Sequence, residues 1–96
     1  MTYPDITQLF PVGQLVATPG ALAMMTENLL NPMDYLARHL SGDWGDMSKD
    51  DKMANDQALK YEGERIFSSY NTAGGKIWII TEADRSSTCI LLPEEY

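Results

Sequence analysis

Apolar positions recur at helical spacing through the first two thirds of the chain and then alternate as in strands over the last third. The early piece Gln14-Leu15-Val16-Ala17 has the length of a short strand. It stops at Thr18-Pro19, where a threonine hydroxyl can cap a helix that begins with proline. Leu22, Met25 and Leu29 then fall at helical spacing. Asn31-Pro32 repeats the cap-then-proline signal, and Met33, Leu36, Ala37 and Leu40 follow at i, i+3, i+4 and i+7, with Gly42 suited to the helix end. Ser48 and Asp51 have capping-box spacing, with Asp in the acidic place, and predict a third helix. Ala54, Ala58 and Tyr61 mark its expected buried stripe. Asp50, Lys52, Asn55, Asp56 and Lys60 form its expected solvated face, and Gly63 its stop.

Beyond Gly63 the residues favour strands. Segments 65–70, 76–81 and 88–92 are rich in Ile, Tyr, Phe, Trp and Thr, and the turn Asn71-Thr72-Ala73-Gly74-Gly75 joins the first two. Short connections predict an antiparallel meander. The expected architecture is a single α+β domain over residues 1–96, with three helices on one face of a three- or four-stranded antiparallel meander sheet. Ile77 and Ile79 point to one side of the middle strand, Trp78 and Ile80 to the other. One face meets the helices; the second is expected to be an apolar surface for docking or dimerisation.

Composition narrows the functional classes. Apolar residues at 44% and charged residues at 22% are ordinary globular usage, so the chain is expected to fold alone. Fourteen acidic against seven basic residues give a net charge of -7, which disfavours direct binding to nucleic acid. Lys49, Lys52 and Lys60 interrupt the acidic third helix, which weakens any imitation of a phosphate row. Apolar runs such as 77–80 and 90–92 are too short to span a bilayer, and residues 1–9 carry Asp5 and no basic residue, unlike a secretory signal. A single cysteine, Cys89, excludes an internal disulfide and suits a reducing compartment, so a cytoplasmic location is expected.

His39, Asp43 and Asp46 form the most suggestive chemical group, with Asp50 and Asp51 close behind. An imidazole with two carboxylates can hold a divalent transition ion, and a small metal-assisted hydrolase on these three residues is the alternative to a non-catalytic role. The structural reading has His39 flanking the apolar stripe, partly exposed, while Asp43 and Asp46 shape the glycine-bearing loop through hydrogen bonds to backbone. Trp44 either plugs the core edge or stands out as an interface anchor. Arg85 can pair with Glu82 or Asp84. Cys89 lacks a neighbouring positive charge and is expected to be a buried strand residue, and the six methionines to be core filler. No serine elbow, phosphate loop or dinucleotide fingerprint occurs, so no cofactor and no catalytic residue is expected.

The strings Gly13-Gln14-Leu15-Val16-Ala17-Thr18-Pro19-Gly20-Ala21-Leu22, Ala37-Arg38-His39-Leu40-Ser41-Gly42-Asp43-Trp44-Gly45-Asp46 and Ile77-Trp78-Ile79-Ile80-Thr81-Glu82-Ala83-Asp84-Arg85-Ser86, with the closing Leu91-Leu92-Pro93-Glu94-Glu95-Tyr96, are spread over nearly the whole chain. In these strings it resembles a family of short plasmid-related or mobile-element proteins of bacteria, some of which carry restriction-modification subunit labels. The resemblance implies genomic company rather than chemistry, and a methyltransferase would need a larger α/β sheet with a glycine-rich cofactor loop. The expected function is a non-catalytic accessory factor of a mobile element, acting on a host defence or regulatory protein. A protein partner or self-association is expected, with Trp44, Trp78, Ile80, Asp43 and Asp46 as candidate contact residues.

Overall fold

The computed structural model describes residues 8–61 and 63–96; the charge reading of the first residues, including Asp5, lies outside them. In chain order the elements are β1 (Gln14–Ala17), α1 (Pro19–Glu27), α2 (Pro32–Leu40), α3 (Lys49–Lys60), β2 (Ile66–Thr72), β3 (Gly75–Thr81) and β4 (Ser87–Leu91), followed by a 3-10 turn (Pro93–Glu95). The fold is α+β, and the sheet order is β1-β4-β3-β2. Strands β2, β3 and β4 make the expected antiparallel meander, whereas β1 lies parallel to β4. Parallel pairing is open to β1 because α1 through β3 separate it from β4 in the chain, far more than a hairpin connection.

Local sequence chemistry starts each helix. Thr18 Oγ1 accepts from the Ala21 N–H at 3.2 Å, Asn31 Oδ1 from Met33 at 3.0 Å and Ser48 Oγ from Asp51 at 3.1 Å. Each bond satisfies a donor that the first helical turn leaves open. The carboxylate of Glu95 in the 3-10 turn also accepts from Thr18 Oγ1 and from the Gly20 N–H, which sets an anion at the positive end of α1.

Strand register sorts the sheet into two faces. Ile66, Ser68 and Tyr70 of β2, Ile77, Ile79 and Thr81 of β3, and Thr88 and Ile90 of β4 share the inner face, and all are buried. Helices meet this face in two clusters. Ala21 and Met25 of α1 pack with Tyr70, Ile77, Ile79 and Ile90, while Leu36 and Leu40 of α2 and Ala58 of α3 pack with Phe10, Trp44 and Ile66. A strap before β1 holds Phe10 there, tied by the Leu9 N–H to the Leu40 carbonyl at 2.9 Å.

Two helices bury only part of the stripe that spacing suggests, Met25 in α1 and Ala58 in α3. In α1 the buried residues are Ala21 and Met25, and Leu22 and Leu29 are exposed. In α3 they are Asn55 and Ala58, while Ala54 and Tyr61 face outward. The turn of α3 is set by a hydrogen bond rather than by apolar periodicity: Asn55 faces the backbone of β2, and that rotation carries Ala54 out of the core.

Helix α1 ends in a Schellman motif, with the Leu30 N–H on the Met25 carbonyl at 2.8 Å and the Leu29 N–H on Thr26 at 3.2 Å. The left-handed position falls on Leu29, at φ 55 and 93% exposed, where glycine is the unstrained residue. Leu29→Gly should therefore raise stability by about 1 kcal/mol. Urea unfolding checks this, and an unchanged or lower midpoint would show that Leu29 makes an unseen stabilising contact.

Candidate functional site

Three places gather the residues that carry chemistry: a polar chain inside the core, the loop after α2, and the outer face of the sheet. His39 lies in the first. It is fully buried rather than partly exposed, held edge-on to Phe10 at 5.2 Å and to Trp44 at 5.9 Å between ring centroids. Nδ1 meets Ser68 Oγ, and Nε2 meets Thr81 Oγ1 at 2.9 Å. Thr81 Oγ1 meets Thr88 Oγ1 at 2.7 Å, and Thr88 donates to the Val12 carbonyl at 2.7 Å.

The carbonyl accepts and cannot donate, so it fixes the sense of every link. Thr88 donates to Val12 and accepts from Thr81, Thr81 accepts from His39 Nε2–H, and His39 Nδ1 accepts from Ser68. The imidazole is thus the neutral Nε2–H tautomer. Burial drives its pKa from 6.5 down to about 3. Both ring nitrogens are engaged in the core, and this is why His39 leaves the surface that helical spacing assigned to it.

The loop after α2 carries Asp43, Trp44 and Asp46. Asp43 accepts from Arg38 Nε at 2.7 Å and from the Gly45 N–H at 3.1 Å, and the guanidinium beside it holds its carboxyl below the usual range. Arg38 lies in turn over the Tyr70 ring at 4.6 Å, and the Tyr70 hydroxyl donates to the Asp43 carbonyl at 2.7 Å. Burial raises the Tyr70 phenol well above its ordinary range. Trp44 is 4% exposed, stacks on Phe10 and donates from Nε1 to Asp56 at 3.1 Å, so it plugs the core and is not an exposed anchor.

The same loop closes the outer edge of β2. The Ser69 N–H bonds the Trp44 carbonyl at 3.2 Å, the Asp46 N–H bonds the Ser69 carbonyl at 2.6 Å, and the Asp46 carboxylate accepts from the Asn71 N–H at 2.8 Å. One step along, the side-chain amide of Asn55 stands in for a neighbouring strand. Its Nδ2 donates to the Phe67 carbonyl at 2.6 Å, and its Oδ1 accepts from the Phe67 N–H at 3.0 Å. Gly45 makes the closest approach at φ 78, where a side chain would strike the Ser69 carbonyl and the Tyr70 ring.

His39, Asp43 and Asp46 thus take three separate duties: core chain, loop ion pair and strand edge. Among the described residues no group of three His, Cys, Asp or Glu side chains could hold a metal ion. Arg85, expected to pair with the carboxylate of Glu82 or Asp84, instead donates to backbone carbonyls, those of Glu64 at 2.7 Å, Glu82 at 3.1 Å, Ala83 at 3.0 Å and Ala58 at 2.9 Å. It ties the β3–β4 turn to the C-terminal end of α3, where a cation is favoured.

The outer face is the open part of the molecule. Phe67, Trp78 and Tyr96 form an edge-to-face series with centroids 4.8 and 5.7 Å apart, and Arg65 lies over Tyr96 at 5.7 Å. With Ile80 and, from α3 and the segment before it, Ala54 and Met47, these rings line a groove of about 520 Å³. Asp51, Glu64 and Arg65 line it as well. Trp78 is half-buried, Ile80 is buried as part of the groove floor, and Tyr96 is 65% exposed. Cys89 is half-buried on this same face, and burial raises its thiol pKa, opposite to what a nucleophile needs. Sequence reading picked out Trp78 and Ile80 but not Phe67, Tyr96 or Ala54. Alternation along β2 marks Phe67; nothing local marks the other two.

Among the described residues no helix is long and apolar enough to cross a membrane. No family model, no curated protein and no solved structure matches this chain.

Two predictions follow from the buried bonds. The unfolded chain binds a proton on His39 below pH 6.5 and the folded one does not until about 3, so stability is full above 6.5 and falls as pH drops. Between pH 7 and 5 the loss should be about 2 kcal/mol, at about 1.4 kcal/mol per pH unit below 6.5. His39→Gln should lack this slope; urea titrations at both pH values check it, and equal slopes would refute it. Asn55→Ala should cost about 2 kcal/mol by leaving the Phe67 N–H and carbonyl without their partner. Thermal unfolding measures that cost, and a loss under about 0.5 kcal/mol would mean that water replaces the amide.

Proposed function

We propose that this protein is a non-catalytic interaction factor that docks a segment of a protein partner in the groove on the outer face of its sheet. One observation carries the reading: Phe67, Trp78 and Tyr96 remain gathered in an open groove of about 520 Å³, while His39, Asp43 and Asp46 are held in structural bonds. Aromatic side chains offer large, rigid contact area, and they are the common anchors of protein interfaces. Asp51, Glu64 and Arg65 line the groove beside these rings, which suits a partner segment with an apolar centre and charged flanks. The resemblance to plasmid-related proteins supports the wider setting, an accessory factor of a mobile element that acts in the bacterial cytoplasm on a host defence or regulatory protein.

Ala54 is exposed on the groove wall, so Ala54→Glu places a charge in the groove without entering the core. Immobilised wild-type protein should retain a specific host protein, and both Ala54→Glu and Tyr96→Ala should retain at least tenfold less at unchanged melting temperature. Equal retention by all three proteins, or none by the wild type, would overturn the reading.

A further inference from the structure

The two edges of the sheet are built in opposite ways. Along β2 the outward backbone groups of Phe67 and Ser69 and the Asn71 N–H are all bonded, by Asn55, by the loop at Trp44 and Asp46, and by the Asp46 carboxylate. Along β1 the pairing with β4 is parallel. The Gln14 N–H reaches the Ser86 carbonyl at 2.9 Å and the Thr18 N–H reaches Ile90 at 3.0 Å, so residues 14, 16 and 18 face β4. Leu15 and Ala17 therefore turn their N–H and C=O groups outward, and among the described residues nothing pairs with them.

Natural sheets guard such an edge with lysine, proline, a bulge or a covering loop. Strand β1 contains no lysine or proline, and among the described residues no bulge or loop covers it. Leu15 and Val16 are 38% and 41% exposed. The sequence around them is also without charge: no Asp, Glu, Lys or Arg lies between Asp5 and Glu27, although the chain carries a net charge of -7. Two copies with the same net charge can meet along β1 without desolvating or opposing any ionised side chain of that segment.

We propose that β1 is the two-fold interface of a homodimer, in which the β1 strands of two copies pair antiparallel and join two four-stranded sheets into one. This surface is separate from the groove and goes beyond its role. Backbone geometry fixes the register. Antiparallel strands exchange paired bonds only between residues that both face the seam. Leu15 opposite Ala17 of the second copy, and the reverse, satisfies every outward group of β1.

The neighbouring symmetric registers fail. Leu15 opposite Leu15 would set Ala17 against Gly13, whose φ of 64 takes it out of extended backbone. Ala17 opposite Ala17 would set Leu15 against Pro19, which has no N–H and already begins α1. The axis therefore passes through Val16, and the two Val16 side chains meet as a close, non-hydrogen-bonded pair. The outer-face row Phe67, Ile80, Cys89 and Val16 then runs on into the same row of the second copy.

Native mass spectrometry and light scattering on the full chain at tens of micromolar test the proposal. Wild type should show twice the chain mass. Val16→Lys and Val16→Glu should each weaken the dimer at least tenfold at unchanged circular dichroism, and an equimolar mixture of the two should restore it. In a Cys89→Ser background, Val16→Cys should form a disulfide dimer on oxidation, whereas Gln14→Cys, several residues from its counterpart across the axis, should not. A wild-type monomer at hundreds of micromolar, or a dimer indifferent to Val16→Lys, would overturn the proposal. A monomer that still loses its partner through Ala54→Glu would overturn this interface alone, and a dimer with no groove-dependent partner would overturn the groove reading alone.

Discussion

The ring of His39 holds one helix, three strands and the entering strap in a single arrangement. A neutral imidazole offers one donor and one acceptor, directed apart within the plane of a rigid ring. Here the acceptor takes Ser68 of β2 and the donor reaches Thr81 of β3, from which the chain of hydroxyls continues through Thr88 of β4 to the strap at Val12. Apolar contacts tolerate sliding, but a directional chain inside a low-dielectric core does not. A slip of β2 or β3 by one residue would turn Ser68 or Thr81 to the other face and strand a buried ring nitrogen. The register of the meander and the seating of α2 are therefore specified together, by groups that contribute little to hydrophobic burial.

How far the fold could be read from the residues follows from how local each cause is. Caps at Thr18, Asn31 and Ser48 act within three residues, so helix starts were legible, as were the strands with their turn residues. The burial of His39 and Asn55 was not, because each depends on partners far along the chain: Ser68, Thr81 and the Phe67 backbone. A polar side chain on a helix looks solvated until the strand it bonds is in place. The same distance hid Tyr96 as a groove wall and the parallel course of β1. One signal lay in plain view and needed no structure, the charge-free run between Asp5 and Glu27. Its meaning depends on the edge that β1 presents.

The loop between α2 and α3 shows how a motif rich in acids can be structural throughout. Asp43 turns the chain by accepting from Gly45 and holds Arg38, which covers the Tyr70 ring. Asp46 completes β2 with both its backbone N–H and its carboxylate. Trp44, between them, fills the core beside His39 and Phe10. What read as a constellation for an ion is a clasp that fastens the end of α2 to the rim of the sheet. The aromatic groove, lined by Phe67, Trp78, Ile80 and Tyr96 together with Met47 and Ala54, lies on the outer face of the sheet.

Closure along β2 has a consequence for assembly. Sheets with two free borders can add strands without limit, which is the route to fibres. With Phe67, Ser69 and Asn71 already bonded, this molecule can recruit a strand at one border alone, and a second copy that does so has no further border to offer. A pair joined at β1 would leave no border for a third copy, so an apolar, charge-free edge strand would lead to a closed assembly and not to open-ended aggregation.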